Sequence, residues 1–156
     1  MLYSISVMRR TGSSSEIVVQ SIEGSARHAS DTAEVLSQCI YEGFRPERRA
    51  AAVAIYDSPS SQLIGAWKNG TLVGIVGLLP RADHTQIRHI AVRNGYRREG
   101  IGKRLIQHAC SLCEGSQLTA ETDKDAVGFY RKCGFSVESL GEKYPGTERF
   151  KCTLKT

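Results

Sequence analysis

The chain has 156 residues, of which 40% are apolar, and it carries a formal net charge of +5. This length and composition predict one globular domain over residues 1–156 and exclude a largely disordered chain. The positive charge suits an anionic ligand, a nucleic acid or an acidic membrane surface, and the position of the cations along the chain distinguishes these partners.

Hydrophobic periodicity predicts strands and helices in an irregular order along the chain. In chain order they are strands at Leu2–Val7 and Glu16–Ile22, separated by a turn at Arg9–Ser15, helices at Asp31–Tyr41 and Pro46–Tyr56, strands at Gln62–Lys68, Thr71–Leu79 and Thr85–Val92, a helix at Gly100–Leu112, a strand at Gln117–Thr122, a helix at Asp125–Lys132, and strands at Val137–Leu140 and Arg149–Leu154. This order predicts an α/β (α+β) fold with a mixed, mostly antiparallel sheet.

Local signals support several of these boundaries. Asp31 and Glu34 have the spacing of a capping box at the start of the first helix, and Pro46 suits the first turn of the second. Asn69-Gly70 is a strong hairpin signal between two apolar runs. Gly134 stands where a helix C-cap is expected.

The cysteines argue for a reducing compartment. Their number is odd, five, and they are scattered through apolar segments, so reduced thiols in a cytoplasmic protein are predicted. Cys110 and Cys113 form a CxxC with His108 nearby, but the second ligand pair of a structural zinc site is missing, and no metal site is predicted. No apolar run approaches the length of a membrane span, and because the first ten residues are too polar we expect no signal peptide.

A cationic, glycine-bearing stretch follows the strand Thr85–Val92 and precedes a helix. Gly100 and Gly102 would let a phosphate approach the backbone at the helix amino terminus, where unpaired N–H groups and the helix dipole favour anions. Five cationic side chains fall between Arg93 and Arg104, so a ligand with several phosphates matches the loop better than one with a single carboxylate. The stretch matches the first glycines of the Walker A and dinucleotide-binding patterns but not the residues that both patterns require after them.

The letters Arg97-Arg98-Glu99-Gly100-Ile101-Gly102 resemble the acetyl-CoA loop of the GNAT superfamily of N-acetyltransferases. A second stretch, from Ala126 to Phe135, resembles the other characteristic helix of that family, in which Phe-Tyr is followed by Gly-Phe. The resemblance covers most of the chain and implies the family fold, with helices on both faces of the sheet. It also implies an enzyme that uses acetyl-CoA as co-substrate and needs no metal.

The resemblance assigns cofactor contacts position by position. In the family, the pantetheine arm of acetyl-CoA pairs with one strand edge, a backbone N–H polarises the thioester, and the loop amides hold the pyrophosphate. The residues implied for the cofactor are Ile90, Ala91, Val92, Arg97, Arg98, Glu99, Gly100, Ile101, Gly102, Lys103, Asp123 and Phe129.

The same resemblance places Tyr130 as the general acid that protonates the departing thiolate, with packing in a helix interface as the alternative role. The general base stays open. Alternation puts Gln86, Arg88 and Ile90 on the face that carries the family's base, and His89 on the opposite face unless a β-bulge turns it. Glu121, His89 and a water chain are the alternatives.

The expected reaction is direct transfer of the acetyl group to a primary amine in a ternary complex. The amine, on a small molecule or a peptide, would lie between the first two helices and the closing hairpin, near Tyr41, Glu42, Phe44, Arg45, Glu142 and Tyr144. A catalytically silent acyl-CoA-binding module is the alternative, and a basic nucleic-acid-binding domain is a third reading. We expect neither nucleic acid nor membrane as partner, and a homodimer stays open.

Overall fold

The computed structural model describes residues 16–156, so the predicted elements at Leu2–Val7 and Arg9–Ser15 lie outside the described residues. The strands are β1 (Ile17–Ser21), β2 (Gln62–Lys68), β3 (Thr71–Pro80), β4 (Thr85–Val92), β5 (Gln117–Asp123), β6 (Ser136–Tyr144) and β7 (Thr147–Lys155). The α-helices are α1 (Ser30–Ser37), α2 (Pro46–Ala54), α3 (Ile101–Leu112) and α4 (Val127–Lys132).

The strands form one sheet in the order β1-β2-β3-β4-β5-β7-β6. Every neighbouring pair is antiparallel except β4 and β5, which confirms the predicted mixed, mostly antiparallel sheet. The β2–β3 hairpin turns at Asn69 and Gly70, whose φ values of +50° and +79° are those of a primed turn, the type that matches the twist of the strands.

Helices cover both faces of the sheet, as the family resemblance implied. One core cluster joins α3 and α4 to residues of β3 such as Val76 and Leu78, and the other joins α1 and α2 to Leu72 and Ile75 of the same strand. A strand buried on both faces reads as a continuous apolar run, which is why β3 is so apolar. No helix within residues 16–156 has the length and apolar content needed to cross a membrane.

The first helix differs from its prediction at both ends. It starts at Ser30, no side chain caps it, and the expected capping box does not form. Instead the Glu34 carboxylate accepts a hydrogen bond from the Arg93 guanidinium at 2.8 Å, so a tertiary contact replaces the local one. The helix ends at Ser37 because the chain folds back on it, and a Cβ at Gly43 would lie 2.0 Å from the Ser37 carbonyl oxygen.

Other boundaries also moved for local reasons. α4 begins at Val127, not at Asp125, because Asp123 Oδ1 accepts the N–H groups of Asp125 and Ala126 at 2.9 and 3.1 Å and so holds a turn before the helix. β3 continues to Pro80, which can end a strand without donating to the ladder. The closing hairpin is longer than predicted, since both strands pair almost to its tip.

Candidate active site

The sheet opens between β4 and β5. These strands pair only at Thr85 with Leu118 and at Gln86 with Thr119, while β4 stays paired with β3 and β5 with β7 to their ends. Within residues 16–156, the backbone N–H and C=O groups of β4 that face the opening therefore have no strand partner. Such an edge can accept an extended ligand as an added strand.

A turn with left-handed residues joins the open end of β4 to α3. Arg98 and Gly100 have φ values of +64° and +80°. The first helical hydrogen bond of α3 runs from Arg104 N–H to Gly100 C=O at 3.1 Å, so within the described residues the amides of residues 98–103 have no backbone partner. Together with the helix dipole, these amides form a pocket suited to a pyrophosphate.

The charges around this loop favour an anion more than the sequence alone indicated. Lys68 of β2 donates a hydrogen bond to the Glu99 carboxylate and lies 5.8 Å from the centre of the Tyr96 ring, so the one acidic side chain of the loop is neutralised. Arg97 Nε donates to the Val92 carbonyl at 3.1 Å and ties the loop to the end of β4. The cationic side chains of Arg98, Lys103 and Arg104 stay exposed.

The two loop glycines have different reasons to be glycine. Gly100 needs its positive φ, and the space where a Cβ would stand is empty, so a ligand can approach the backbone there. A Cβ on Gly102 would lie 2.9 Å from Cε1 of Phe129. The Phe129 ring thus packs directly on the first turn of α3, and this contact couples α3 to α4.

Tyr130 of α4 is buried between aromatic rings. Its ring lies edge-on to Phe129 and to Phe135, with centroids 5.2 Å apart in both pairs. Burial raises the pKa of Tyr130 above its ordinary value, so the phenol stays protonated. Within residues 16–156 the hydroxyl has no hydrogen-bond partner, yet it is not sealed from solvent, and so it is free to contact a ligand.

A β-bulge changes the faces predicted for β4. Leu78 pairs with Ile87 and Gly77 with His89, so Arg88 is an extra residue in the strand. The predicted grouping of Gln86, Arg88 and Ile90 on one face is therefore wrong. Beyond the bulge, His89 packs with the core under α1 and α2, and Ile90 packs with the core under α3 and α4.

His89 forms a buried pair with a residue that no sequence pattern connects to it. Its Nδ1 lies 2.6 Å from the hydroxyl of Tyr56, in the turn just after α2, and the two rings meet edge-on. His89 is 7% exposed and Tyr56 1% exposed. Burial, with a smaller effect of the Arg88 guanidinium, lowers the pKa of His89 to about 4, so the ring is neutral at physiological pH.

Glu121 and Asp123 lie on the other side of the opening, on β5. The Glu121 carboxylate is 3.8 Å from Lys143 Nζ, about half of its side chain is exposed, and it lines a cleft together with Gln86 of β4. Asp123 holds the turn into α4 through the two backbone N–H groups described above, which gives it a structural task at the rim of the site.

The predicted acceptor side is exposed and rich in aromatic residues. Tyr41, Phe44 and Tyr144 are 78%, 75% and 69% exposed. The loop between α1 and α2 is held by the Glu42 carboxylate, which lies 3.4 Å from Arg45 Nε and 3.6 Å from Arg48. Exposed aromatic side chains of this kind suit recognition of a partner or substrate.

The site includes residues that the sequence reading missed, namely Tyr56, Gly77, Lys68 and Cys39. Each lies far along the chain from its partner. The pairing of the strands brings in Lys68 and Gly77, and the packing of the helical layer of α1 and α2 on the sheet brings in Tyr56 and Cys39. Burial raises the pKa of the Cys39 thiol to about 11, opposed by hydrogen bonding with the Ile90 backbone, so Cys39 lies beside β4 and stays protonated. Among residues 16–156, no group of His, Cys, Asp and Glu side chains could hold a metal ion.

Comparison with known proteins connects this geometry to a family. The model of the acetyltransferase (GNAT) family matches residues 30–135. This range includes the sheet opening, the loop before α3 and Tyr130, and it leaves out the closing hairpin of β6 and β7.

Individual proteins resemble the chain over part of its length. It is 34% identical over 95 residues to the N-alpha-acetyltransferase RimI of Mycobacterium tuberculosis, covering 56% of this chain and 60% of the relative. It is 43% identical over 56 residues to the peptidyl-lysine N-acetyltransferase YjaB of Salmonella typhimurium, covering 31% of this chain and 39% of the relative. The crystal structure of the ribosomal-protein-S18-alanine N-acetyltransferase from Escherichia coli shares the fold, with a TM-score of 0.68 at 18% identity over 89% of this chain and 93% of that one.

Proposed function

We propose that this chain, which belongs to the acetyltransferase (GNAT) family, is an N-acetyltransferase that moves the acetyl group of acetyl-CoA to a primary amine. The proposal treats residues 1–156 as one catalytic domain. One observation carries it: the open edge of β4 and the unpaired amides before α3 are consecutive in the chain, so one strand-loop-helix unit can bind both the extended arm and the pyrophosphate of a long anionic cofactor.

The cofactor contacts follow from that unit. The free edge of β4 at Ile90, Ala91 and Val92 would pair with the amides of the pantetheine arm, and the amides of residues 98–103 would hold the pyrophosphate. The exposed cations of the loop would add charge-assisted hydrogen bonds to the phosphates. A backbone N–H aimed at the thioester oxygen would stabilise the oxyanion that forms during transfer.

The acetyl group would pass directly from the thioester to the amine, without an acetyl-enzyme. Burial raises the pKa of all five thiols, including that of Cys39 beside β4, and so disfavours the thiolate that would be the nucleophile. In our proposal Tyr130 donates a proton to the departing thiolate, since its buried phenol stays protonated and its hydroxyl is free.

The acceptor we propose is an amine on a polypeptide. Two of the relatives support this class by their names, since RimI is an N-alpha-acetyltransferase and YjaB is a peptidyl-lysine N-acetyltransferase. The exposed aromatic rings of Tyr41, Phe44 and Tyr144 support the same class, because they can offer apolar contact to residues that follow the amine. We place the reaction in the cytoplasm, a location that the five free thiols support.

A panel of amines tests the acceptor class. The panel contains a lysine-free peptide with a free amino terminus, an amino-terminally blocked peptide with one lysine, a polyamine and an aminoglycoside, each incubated with acetyl-CoA and analysed by mass spectrometry. We expect acetylation of a peptide amine, absent with the Gly100→Asp variant, which controls for non-enzymatic acetylation. Acetylation of the polyamine or the aminoglycoside alone would overturn the polypeptide assignment and leave the enzyme class standing.

A further inference from the structure

The buried pair of Tyr56 and His89 lies next to the sheet opening, outside the cofactor loop. We propose that Tyr56 fixes His89 as a neutral imidazole with its proton on Nε2, so that His89 donates a hydrogen bond to a substrate carbonyl oxygen instead of taking a proton from the amine. Tyr56 is then a positioning residue. The inference rests on the proposed N-acetyltransferase function, and it reverses the role of base that the sequence left open for His89.

The position of the proton follows from the hydrogen-bond inventory. A phenol O–H buried away from water needs an acceptor, because a buried hydroxyl without a hydrogen-bond partner destabilises the folded state. Within residues 16–156 the only partner of the Tyr56 hydroxyl is His89 Nδ1, at 2.6 Å. Tyr56 therefore donates, Nδ1 accepts, and a neutral ring must carry its one proton on Nε2.

The backbone is shaped to allow this contact. Gly77 of β3 pairs with His89 of β4, and a Cβ on Gly77 would lie 1.8 Å from the Tyr56 hydroxyl oxygen. The bulge at Arg88 turns His89 onto the face where Tyr56 lies. A glycine on β3 and a bulge on β4 thus both make room for the contact between Tyr56 and His89.

The other ring nitrogen faces the cleft. Nδ1 points toward Tyr56 above β3, and the two nitrogens of an imidazole diverge widely, so Nε2 points away from β3. On that side β4 has already lost its pairing with β5, since His89 lies beyond the last paired residue, Gln86. Nε2 has no partner within residues 16–156 and is not sealed from solvent, so its N–H can reach a ligand.

The groups around the ring keep it neutral. The titratable or charged side chains that face this pair are the buried hydroxyl of Tyr56, the guanidinium of Arg88 and the thiol of Cys39, and none supplies a negative charge at neutral pH. A neutral N–H donor needs no proton transfer and works at any pH where the ring stays uncharged. A nearby cation and burial both disfavour the imidazolium that a base would become.

Two carbonyl oxygens can receive this hydrogen bond, one on the acetyl thioester and one on the peptide acceptor. Both oxygens accept a hydrogen bond in the same way, but different measurements distinguish them. The thioester oxygen is present in acetyl-CoA and absent from CoA. The acceptor oxygen affects the KM of the peptide.

The tautomer is tested on the free protein by long-range ¹H–¹⁵N correlation of its histidine rings, with His89→Gln to assign the signals. We expect His89 to show an Nε2–H, neutral ring down to about pH 5, and Tyr56→Phe to remove this preference while keeping the packing of the ring. An Nδ1–H tautomer in the wild-type protein, or a ring that becomes charged between pH 6 and 7, would overturn the inference. This result does not depend on any transfer activity.

The donor role is tested by activity of the full chain with matched variants. Gln keeps an N–H donor and has no basicity, whereas Leu has neither, and His108→Gln on α3 is the control substitution. We expect His89→Gln to keep activity within about tenfold of wild type and His89→Leu to lose at least about tenfold more, the size of one hydrogen bond to a reacting group. Equal losses in the two variants, with both folded by circular dichroism, would overturn the donor role.

Calorimetry then identifies the carbonyl. If the thioester oxygen is bound, His89→Leu weakens acetyl-CoA binding but not CoA binding. If the acceptor oxygen is bound, both affinities stay unchanged and the KM for the peptide rises. A change in neither quantity contradicts the proposal, and absence of transfer by the wild-type protein contradicts the proposed function instead.

Discussion

The proposed cofactor loop and the proposed reaction centre of this protein are built in different ways. The loop uses consecutive residues, 97–103, whose left-handed turn and helix start present unpaired amides in one direction. The reaction centre takes single side chains from distant segments, with Tyr56, His89 and Tyr130 supplied by the turn just after α2, by β4 and by α4. The difference implies that changes in the loop act on cofactor affinity, and changes in the centre act on turnover and on the packing of the two helical layers.

The largest effect is expected at Tyr130. Tyr130→Phe keeps the buried ring and removes only the proton donor, so turnover should fall by roughly ten- to a thousand-fold, the range for general acid catalysis, with acetyl-CoA affinity nearly intact. The measurement is kcat with a good peptide acceptor across neutral and alkaline pH. Wild-type rates in the variant would make Tyr130 a packing residue. A weaker cofactor affinity would contradict the proposed division, in which the loop sets cofactor affinity and the centre sets turnover.

The loop is tested by Gly100→Asp beside Gly100→Asn. Both side chains tolerate the left-handed backbone and have nearly the same shape, but only Asp repels the pyrophosphate. CoA affinity, measured by titration calorimetry, should drop about a hundredfold with Asp, the scale of charge-assisted contacts that are lost and replaced by repulsion, and far less with Asn. Unchanged affinity in Gly100→Asp would show that the phosphates bind elsewhere.

Gly77 offers a way to disturb the centre without touching the loop. In Gly77→Ala the new methyl group would overlap the Tyr56 hydroxyl, so the free energy of unfolding should fall by about 1–3 kcal/mol, as for an overpacked core. Gly95→Ala, where the structure leaves open space and needs no positive φ, is the control. Denaturant unfolding measures both variants, and equal stability in the two would mean that Tyr56 moves aside at no cost.

A smaller effect is expected on the free energy of unfolding at acidic pH. Because His89 has a pKa of about 4 when folded and about 6.5 when unfolded, the unfolded chain binds more protons between these values. The contribution of the neutral ring is therefore complete above pH 6.5 and is lost as the pH falls toward 4, a change on the order of 2 kcal/mol. His89→Gln should lack this component, so the difference in unfolding free energy between wild type and variant must shrink on acidification. A difference independent of pH would contradict the buried neutral histidine.

The sequence predicted the order of helices and strands along the chain, the hairpin at Asn69 and the loop before α3, because each depends on neighbours along the chain. It wrongly predicted a capping box at the start of α1, where Arg93, just after β4, binds the Glu34 carboxylate that the box requires. It also misassigned the faces of β4, since nothing in the letters from Thr85 to Val92 reveals an extra residue at Arg88. The Tyr56–His89 pair depends on that bulge and on Gly77, and so it could not be predicted before the strands were paired.

The most direct test of the whole account is the stoichiometry of transfer from isotopically labelled acetyl-CoA. Wild-type protein is incubated with the label and a peptide amine, and thiol release, peptide mass and intact protein mass are measured together. We predict one labelled acetyl group on the peptide for each thiol released, with no label on the protein and no thiol release without the amine. Thiol release without an acetylated peptide, a labelled protein, or cofactor binding with no release at all would contradict direct acetyl transfer by this chain.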